Sequence, residues 1–194
     1  MGKETTRNNI LEHAGRIVRQ KGFNNTGIQE ILESAGVPKG SFYFYFKSKD
    51  DLGLALIDHY AEGVTSLMGS LHGDAQEAPL ERLRKFFAGM RLFFSQEEWR
   101  SGCPIGNLTQ EMGNLDTAFR SRLSAVFNMM QAAIRACLEQ ARSRKELAPG
   151  LDADELAHFI LDSWEGALLR MKAEGNVKPL VRFEKMVFGR ILDR

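Results

Sequence analysis

Cysteine is scarce in this chain of 194 residues, with Cys103 and Cys137 the only two. That is too few for a disulfide framework, and it fits a reducing cytosol. No apolar run approaches the roughly 18 residues of a membrane helix. The opening stretch Met1 to Arg7 contains no apolar core for a signal peptide, so a cytoplasmic location is expected. Strand signals are missing as well: there is no sustained alternation of period two and no Asn-Gly hairpin between β-branched runs. His13, His59, His72 and His158 show no ligand spacing with acids or cysteines, which argues against a metal site. Neither a phosphate loop, a Ser/His/Asp order nor a paired-carboxylate motif is found, so neither an enzyme nor a cofactor is expected. Internal repeats and low-complexity segments are absent.

Charge is balanced overall but not locally. The first fifty residues hold eight basic against five acidic side chains, whereas the remainder holds 18 against 20. A mildly basic segment ahead of a mildly acidic body is compatible with a polyanionic partner.

Helical periodicity runs through the chain. Ile10, Leu11, Ala14, Ile17 and Val18 form one stripe of a first helix from about Thr6 to Lys21, with Gly22 as its left-handed terminal residue. Thr26-Gly27-Ile28-Gln29 reads as a capping box opening a second helix with Ile28, Ile31 and Leu32 inward. Gly36 stops that helix, and Pro38 suits the first turn of a third, ending near Lys47. Two short helices joined by a brief glycine-containing link make a helix-turn-helix. Ser48 to Asp51 supplies the next N-terminal cap, for a helix to about Leu71. His72-Gly73-Asp74 is a loop, and Pro79 opens a fifth helix. Ser101-Gly102-Cys103-Pro104 breaks the pattern before a short helix to Met112. Asp116 and the run from Asp152 to Glu155 begin two long helices, and Pro179 marks the last. The predicted fold is all-α: a three-helix helix-turn-helix domain over residues 1–50 and a helical bundle over residues 51–194.

The final two helices are apolar on more than one side. Phe159, Ile160, Leu161, Trp164, Leu168, Leu169 and Met171, then Val181, Phe183, Met186, Val187 and Phe188, exceed one core-facing stripe. The excess predicts two dimerisation helices and a two-fold homodimer, with a thoroughly buried pair within one chain as the alternative.

Phe42-Tyr43-Phe44-Tyr45-Phe46 is the most unusual run. Successive helical residues turn by about 100°, so five aromatics cannot share one face. Phe42 and Phe46, four apart, can be buried together. Tyr43, Phe44 and Tyr45 then fan outward among Lys39, Lys47 and Lys49, where rings and lysines suit phosphates and groove edges. A locally aromatic core with incidental lysines is the alternative.

The segment Gly22-Phe23, Thr26 to Ile31, Ala35-Gly36-Val37 and Lys39 to Lys49 resembles the DNA-binding domain of the TetR repressors in order and spacing. The resemblance implies a homodimer on a palindromic double-stranded DNA operator, released by a small-molecule inducer in the C-terminal body. By it, Thr26, Tyr43, Tyr45 and Lys49 look like phosphate contacts, and Lys39, Gly40, Ser41 and Phe44 like the residues nearest base edges. Many relatives carry His at the position of Phe44. An apolar ring there suits a thymine methyl.

Cys103 precedes a helix whose free N–H groups favour a thiolate, and Arg100 is near in sequence. Ser101-Gly102-Cys103 followed by Leu108-Thr109 and Glu111 resembles the sensing region of the TetR-type, electrophile-sensing repressor of N-ethylmaleimide reductase. That likeness implies a sensor reacting with quinones, aldehydes or oxidants. A small buried residue at a turn is the plainer reading. Cys137 sits on an apolar stripe and reads as core, with its pairing to Cys103 left open. Trp99, Phe94, Met112, Phe127, Met130 and Trp164 are candidates to line a ligand cavity, Phe127, Met130 and Trp164 foremost, against ordinary core packing. A thiol-dependent enzyme using Cys103 lacks a base placed near the thiol.

Overall fold

Residues 3–73, 76–96 and 102–192 are described by the computed structural model, and every regular element among them is helical. The order is α1 (Lys3–Lys21), α2 (Ile28–Ala35), α3 (Phe42–Tyr45), α4 (Lys49–Gly69), α5 (Pro79–Gln96), α6 (Pro104–Met112), α7 (Thr117–Ser143), α8 (Ala153–Glu174) and α9 (Lys178–Met186). A 3₁₀ turn, Lys39–Ser41, leads into α3, another, Ser70–His72, follows α4, and a π turn, Val187–Ile191, continues α9.

Local chemistry sets most boundaries. Ser48 Oγ accepts the Asp51 N–H at 3.0 Å while Asp51 Oδ2 accepts the Lys47 N–H at 2.8 Å, a reciprocal cap that starts α4. Asp116 Oδ1 takes the N–H groups of Ala118 and Phe119 at 2.8 and 3.0 Å, and Asp152 Oδ1 takes those of Asp154 and Glu155, each at 2.9 Å. These carboxylates satisfy donors that the first turn leaves without intrahelical partners. The backbone bonds hold the Asp152 carboxyl below its ordinary range.

Two expectations are corrected. The N-cap of α2 is Gly27, not Thr26, and Gly27 supplies no side-chain cap. The Thr26 hydroxyl instead donates to the Gly22 carbonyl at 2.6 Å, and Gln29 is drawn to Glu33 along α2. The third helix does not run from Pro38 to Lys47. Its first turn is 3₁₀, and Phe46 is already extended at φ −138°.

By packing the chain divides into two units, residues 1–63 with 104–126 and residues 64–103 with 127–194. The expected boundary at residue 50 falls inside the first. Ile10, Leu11 and Ala14 of α1, Ile31 and Leu32 of α2, Phe42, Phe46, Leu52 and Leu56 are buried in that unit, as are Ile105, Leu108, Phe119 and Leu123. The Tyr60 hydroxyl donates to the Gly15 carbonyl at 2.9 Å, and burial raises its pKa well above the usual phenol value.

In the second unit an aromatic cluster joins α5, α8 and α9. The Phe87 ring lies 4.9 Å from Trp164 and 5.0 Å from Phe183, centroid to centroid, and Trp164 lies 5.2 Å from Phe183. These separations fall within the range of favourable aromatic pairs. Arg82 is buried; it donates to the Glu77 carbonyl at 3.3 Å and to Gln140, tying α5 to α7.

Candidate nucleic-acid interface and regulatory site

The aromatic run divides by helical position. Phe42 and Phe46 are 1% and 2% exposed and stack with centroids 5.7 Å apart, anchoring α3 to the core of its unit. Tyr43 and Phe44 are 73% and 64% exposed. Tyr45 is half-buried, edge-on to Phe44 at 5.1 Å. Lys39, Gly40 and Lys47 are exposed, and Ser41 is half-buried. A Cβ at Gly40 would meet nothing within 4 Å, so no packing inside the chain calls for a missing side chain there.

Two of the expected phosphate contacts are engaged within the chain. Thr26 is 1% exposed, and its hydroxyl proton is committed to Gly22. A phosphate contact from that hydroxyl requires this bond to be exchanged. The Lys49 ammonium donates to the Asn24 carbonyl at 3.1 Å and sits 4.9 Å from the centre of the Phe23 ring. Sequence reasoning gave no partner for either, because both lie across a turn.

Around that turn is a residue that sequence reasoning named only as part of a resemblance. Glu111 of α6 accepts the Phe23 N–H at 3.0 Å and the Asn24 N–H at 2.9 Å, one on each carboxylate oxygen. Gly22 has φ +87°, and a Cβ there would come within 2.8 Å of Glu111 Oε1. Phe23 packs on Phe119 at 5.8 Å and against Gly53, where a Cβ would meet both rings at 2.6 and 2.7 Å. The separation in sequence, 87 and 88 residues, left no local pattern to read.

In the second unit Cys103 is a buried free thiol that donates to the carboxyl of Glu165 on α8. Burial pushes that carboxyl up to about 7, the thiol hydrogen bond pulling it the other way, and Glu165 Oε1 is buried without a hydrogen-bond partner. Cys137, also a free thiol, donates to the Pro79 carbonyl at 3.2 Å; burial raises its pKa, and the Arg82 guanidinium beside it opposes the rise. Trp164 is 4% exposed within the aromatic cluster. Met130 is buried and Phe127 half-buried on α7, Phe94 and Met112 are buried, and Trp99, Arg100, Ser101 and Asp74 lie outside the described residues.

A groove of about 550 Å³ runs between α8 and α9, lined by Phe159, Gly166, Ala167, Phe183, Met186 and Ile191 among others, with Arg170, Glu174 and Arg182 also in its lining. Phe159, Leu169, Val181 and Met186 are each about half exposed, at 48%, 52%, 47% and 54%. None of Cys103, Phe127, Met130 and Trp164 lines this groove. No helix among the described residues is long and apolar enough to cross a membrane, and no three of their His, Cys, Asp and Glu side chains cluster to hold a metal.

Residues 10–56 match the profile of bacterial regulatory proteins of the tetR family, and residues 79–187 match that of the tetracyclin repressor-like C-terminal domain. The chain is a TetR-family transcriptional regulator. It is 41% identical over 180 residues to the transcriptional regulator AcuR of Cereibacter sphaeroides, covering 93% of this chain and 80% of that protein. It is 30% identical over 192 residues to the transcriptional repressor DhaR of a Mycobacterium species, covering 99% and 95%. The crystal structure of the reduced form of NemR from E. coli superposes with a TM-score of 0.84 at 30% identity, covering 95% of this chain and 97% of that one. The TetR-family assignment accounts for the all-helical fold and the helix-turn-helix.

Proposed function

We propose that this TetR-family regulator is a repressor that binds a palindromic operator as a homodimer in the cytoplasm and leaves it when a small molecule enters the C-terminal body. The observation that carries the reading is the exposure of Tyr43 and Phe44 on a helix whose two neighbouring phenylalanines are buried. Each exposed ring touches one neighbouring ring by its edge and leaves most of its surface to solvent, in a stretch of sequence that also carries Lys39 and Lys47. Tyr43 and Tyr45 are assigned to phosphates together with Lys49 and, after exchange of its internal bond, Thr26. Lys39, Gly40, Ser41 and Phe44 are assigned to base edges, with Gly40 letting the backbone approach the duplex closely. The dimer is assigned to the exposed apolar side chains of α8 and α9. Residues 1–50 are the reading part and residues 51–194 the responding and dimerising part. Tyr43→Ala and Lys49→Ala test the assignment: both should weaken binding to all duplexes alike. Unchanged affinity in both variants would remove those roles.

A second reading, a covalent trigger at Cys103, is favoured by the hydrogen bond from its thiol to Glu165. An ionised Glu165 can take the thiol proton as the sulfur adds to an electron-poor alkene, whose carbon then receives a proton. Cys103→Ser separates this reading from reversible inducer binding. A Ser variant still released from its operator by N-ethylmaleimide would rule the thiol out as the trigger.

A further inference from the structure

A carboxylate far outside the helix-turn-helix in sequence meets the link between its first two helices. The link between α1 and α2 exposes two successive backbone N–H groups, those of Phe23 and Asn24, and both are donated to the Glu111 carboxylate at 3.0 and 2.9 Å. A carboxylate taking one N–H on each oxygen fixes the orientation of both peptide planes. Gly22 is the residue that admits it, being left-handed and without a side chain where a Cβ would lie 2.8 Å from Oε1. The same two residues hold Lys49: its ammonium donates to the Asn24 carbonyl at 3.1 Å and lies over the Phe23 ring. One carboxylate therefore orders, in a single chain of contacts, the turn and the cation beside it.

We propose that Glu111 is a positioning residue for DNA recognition, fixing the Phe23–Asn24 turn and through it the phosphate grip of Lys49. The proposal rests on the reading that Lys49 contacts a phosphate. Two consequences separate it from plain electrostatics. Glu111 is an acidic group close to that lysine, so removing its charge alone would strengthen attraction to DNA. Loss of a positioning contact does the opposite.

The test uses the full chain and a labelled duplex that the wild-type protein has selected from a random-sequence pool. Glu111→Gln, which keeps the shape and loses the charge, should weaken binding roughly tenfold, the scale of one charge-assisted hydrogen bond. It should also make the plot of log affinity against log salt shallower by about one per protomer, the signature of a lost phosphate contact. A fall in the folded fraction alone would lower affinity without changing that slope. Lys49→Ala should reproduce both effects, and the double variant should bind within about twofold of Lys49→Ala, because the two residues act in series. Glu111→Gln binding as tightly as wild type or more tightly, losing affinity at unchanged slope, or adding its full effect to that of Lys49→Ala would overturn the proposal. If Lys49→Ala alone has no effect, the phosphate reading fails first and the positioning role with it. Should Glu111→Gln not fold, amide exchange in the wild-type protein replaces it. Exchange at Phe23 and Asn24 should slow when the duplex is bound, and unchanged rates would overturn the proposal.

Discussion

Phe42→Ala and Tyr43→Ala alter adjacent aromatic residues and should have opposite consequences. Phe42 is 1% exposed, stacked on Phe46 and edge-on to Tyr43 at 5.3 Å. Truncating such a ring removes its transfer free energy and leaves a cavity, about 3–5 kcal/mol in all. Domains are stable by about 5–15 kcal/mol, so the loss is a large fraction of the total and lowers the melting temperature by many degrees. Tyr43 is 73% exposed. Its truncation should change stability by no more than about 0.5 kcal/mol. Its effect belongs instead to DNA, where one hydrogen bond to a charged phosphate is worth about 1.5–3 kcal/mol, a tenfold loss or more. Urea unfolding followed by circular dichroism gives the first quantity, and fluorescence anisotropy with a labelled duplex gives the second. Equal stability losses in Tyr43→Ala and Phe42→Ala, or an unmoved unfolding midpoint in Phe42→Ala, would overturn this division of roles.

The Glu165 carboxyl, raised from 4.5 to about 7, binds its proton more tightly in the folded chain than in the unfolded one. Folding stability should thus fall as pH rises from about 4.5 through 7, by about 3 kcal/mol in total, and stay level above; denaturant titrations at pH 5 and 8 should show the fall in wild type and a flatter profile in Glu165→Gln. Phe159→Asp combined with Met186→Asp places charges on the half-exposed apolar faces of α8 and α9 and should give a monomer by light scattering, whereas an unchanged mass would exclude that face as the dimer contact. Gly53→Ala drives a methyl into the rings of Phe23 and Phe119 and should cost about 1–3 kcal/mol, while Gly63→Ala, with nothing within 4 Å of its Cβ, should be neutral or stabilising by up to about 1 kcal/mol. Equal thermal shifts in these two variants would contradict the packing around the turn.

Features carried by neighbouring residues were legible in the sequence. The caps at Ser48, Asp116 and Asp152 are short-range chemistry, an oxygen two or three residues ahead of a free N–H. Helical rotation separates buried Phe42 from exposed Tyr43 and Phe44, whereas Phe46 is buried from an extended backbone just past the helix. Where a side chain had two local partners the reading failed. Thr26 has the spacing of a capping box, yet its hydroxyl is bonded to the carbonyl of Gly22, at the end of α1. Periodicity carries α3 too far because it does not register the change to extended backbone at Phe46. Trp164 meets Phe87 and Phe183 from two other helices, contacts that the pattern of its own helix does not encode. Glu111 and Glu165 owe their roles to partners 87 and 62 positions away in sequence, contacts that no local pattern encodes.

If the exposed edge of α3 reads duplex DNA in a two-fold assembly, the full chain selects a symmetric site. Selection of duplexes from a random-sequence pool by the full chain, followed by sequencing, tests it directly. The expected outcome is enrichment of an inverted repeat whose halves bind equally, with affinity falling steeply as salt rises and with enrichment abolished in Tyr43→Ala/Phe44→Ala. A pool that stays random after repeated rounds, or an enriched site without two-fold symmetry, would contradict it.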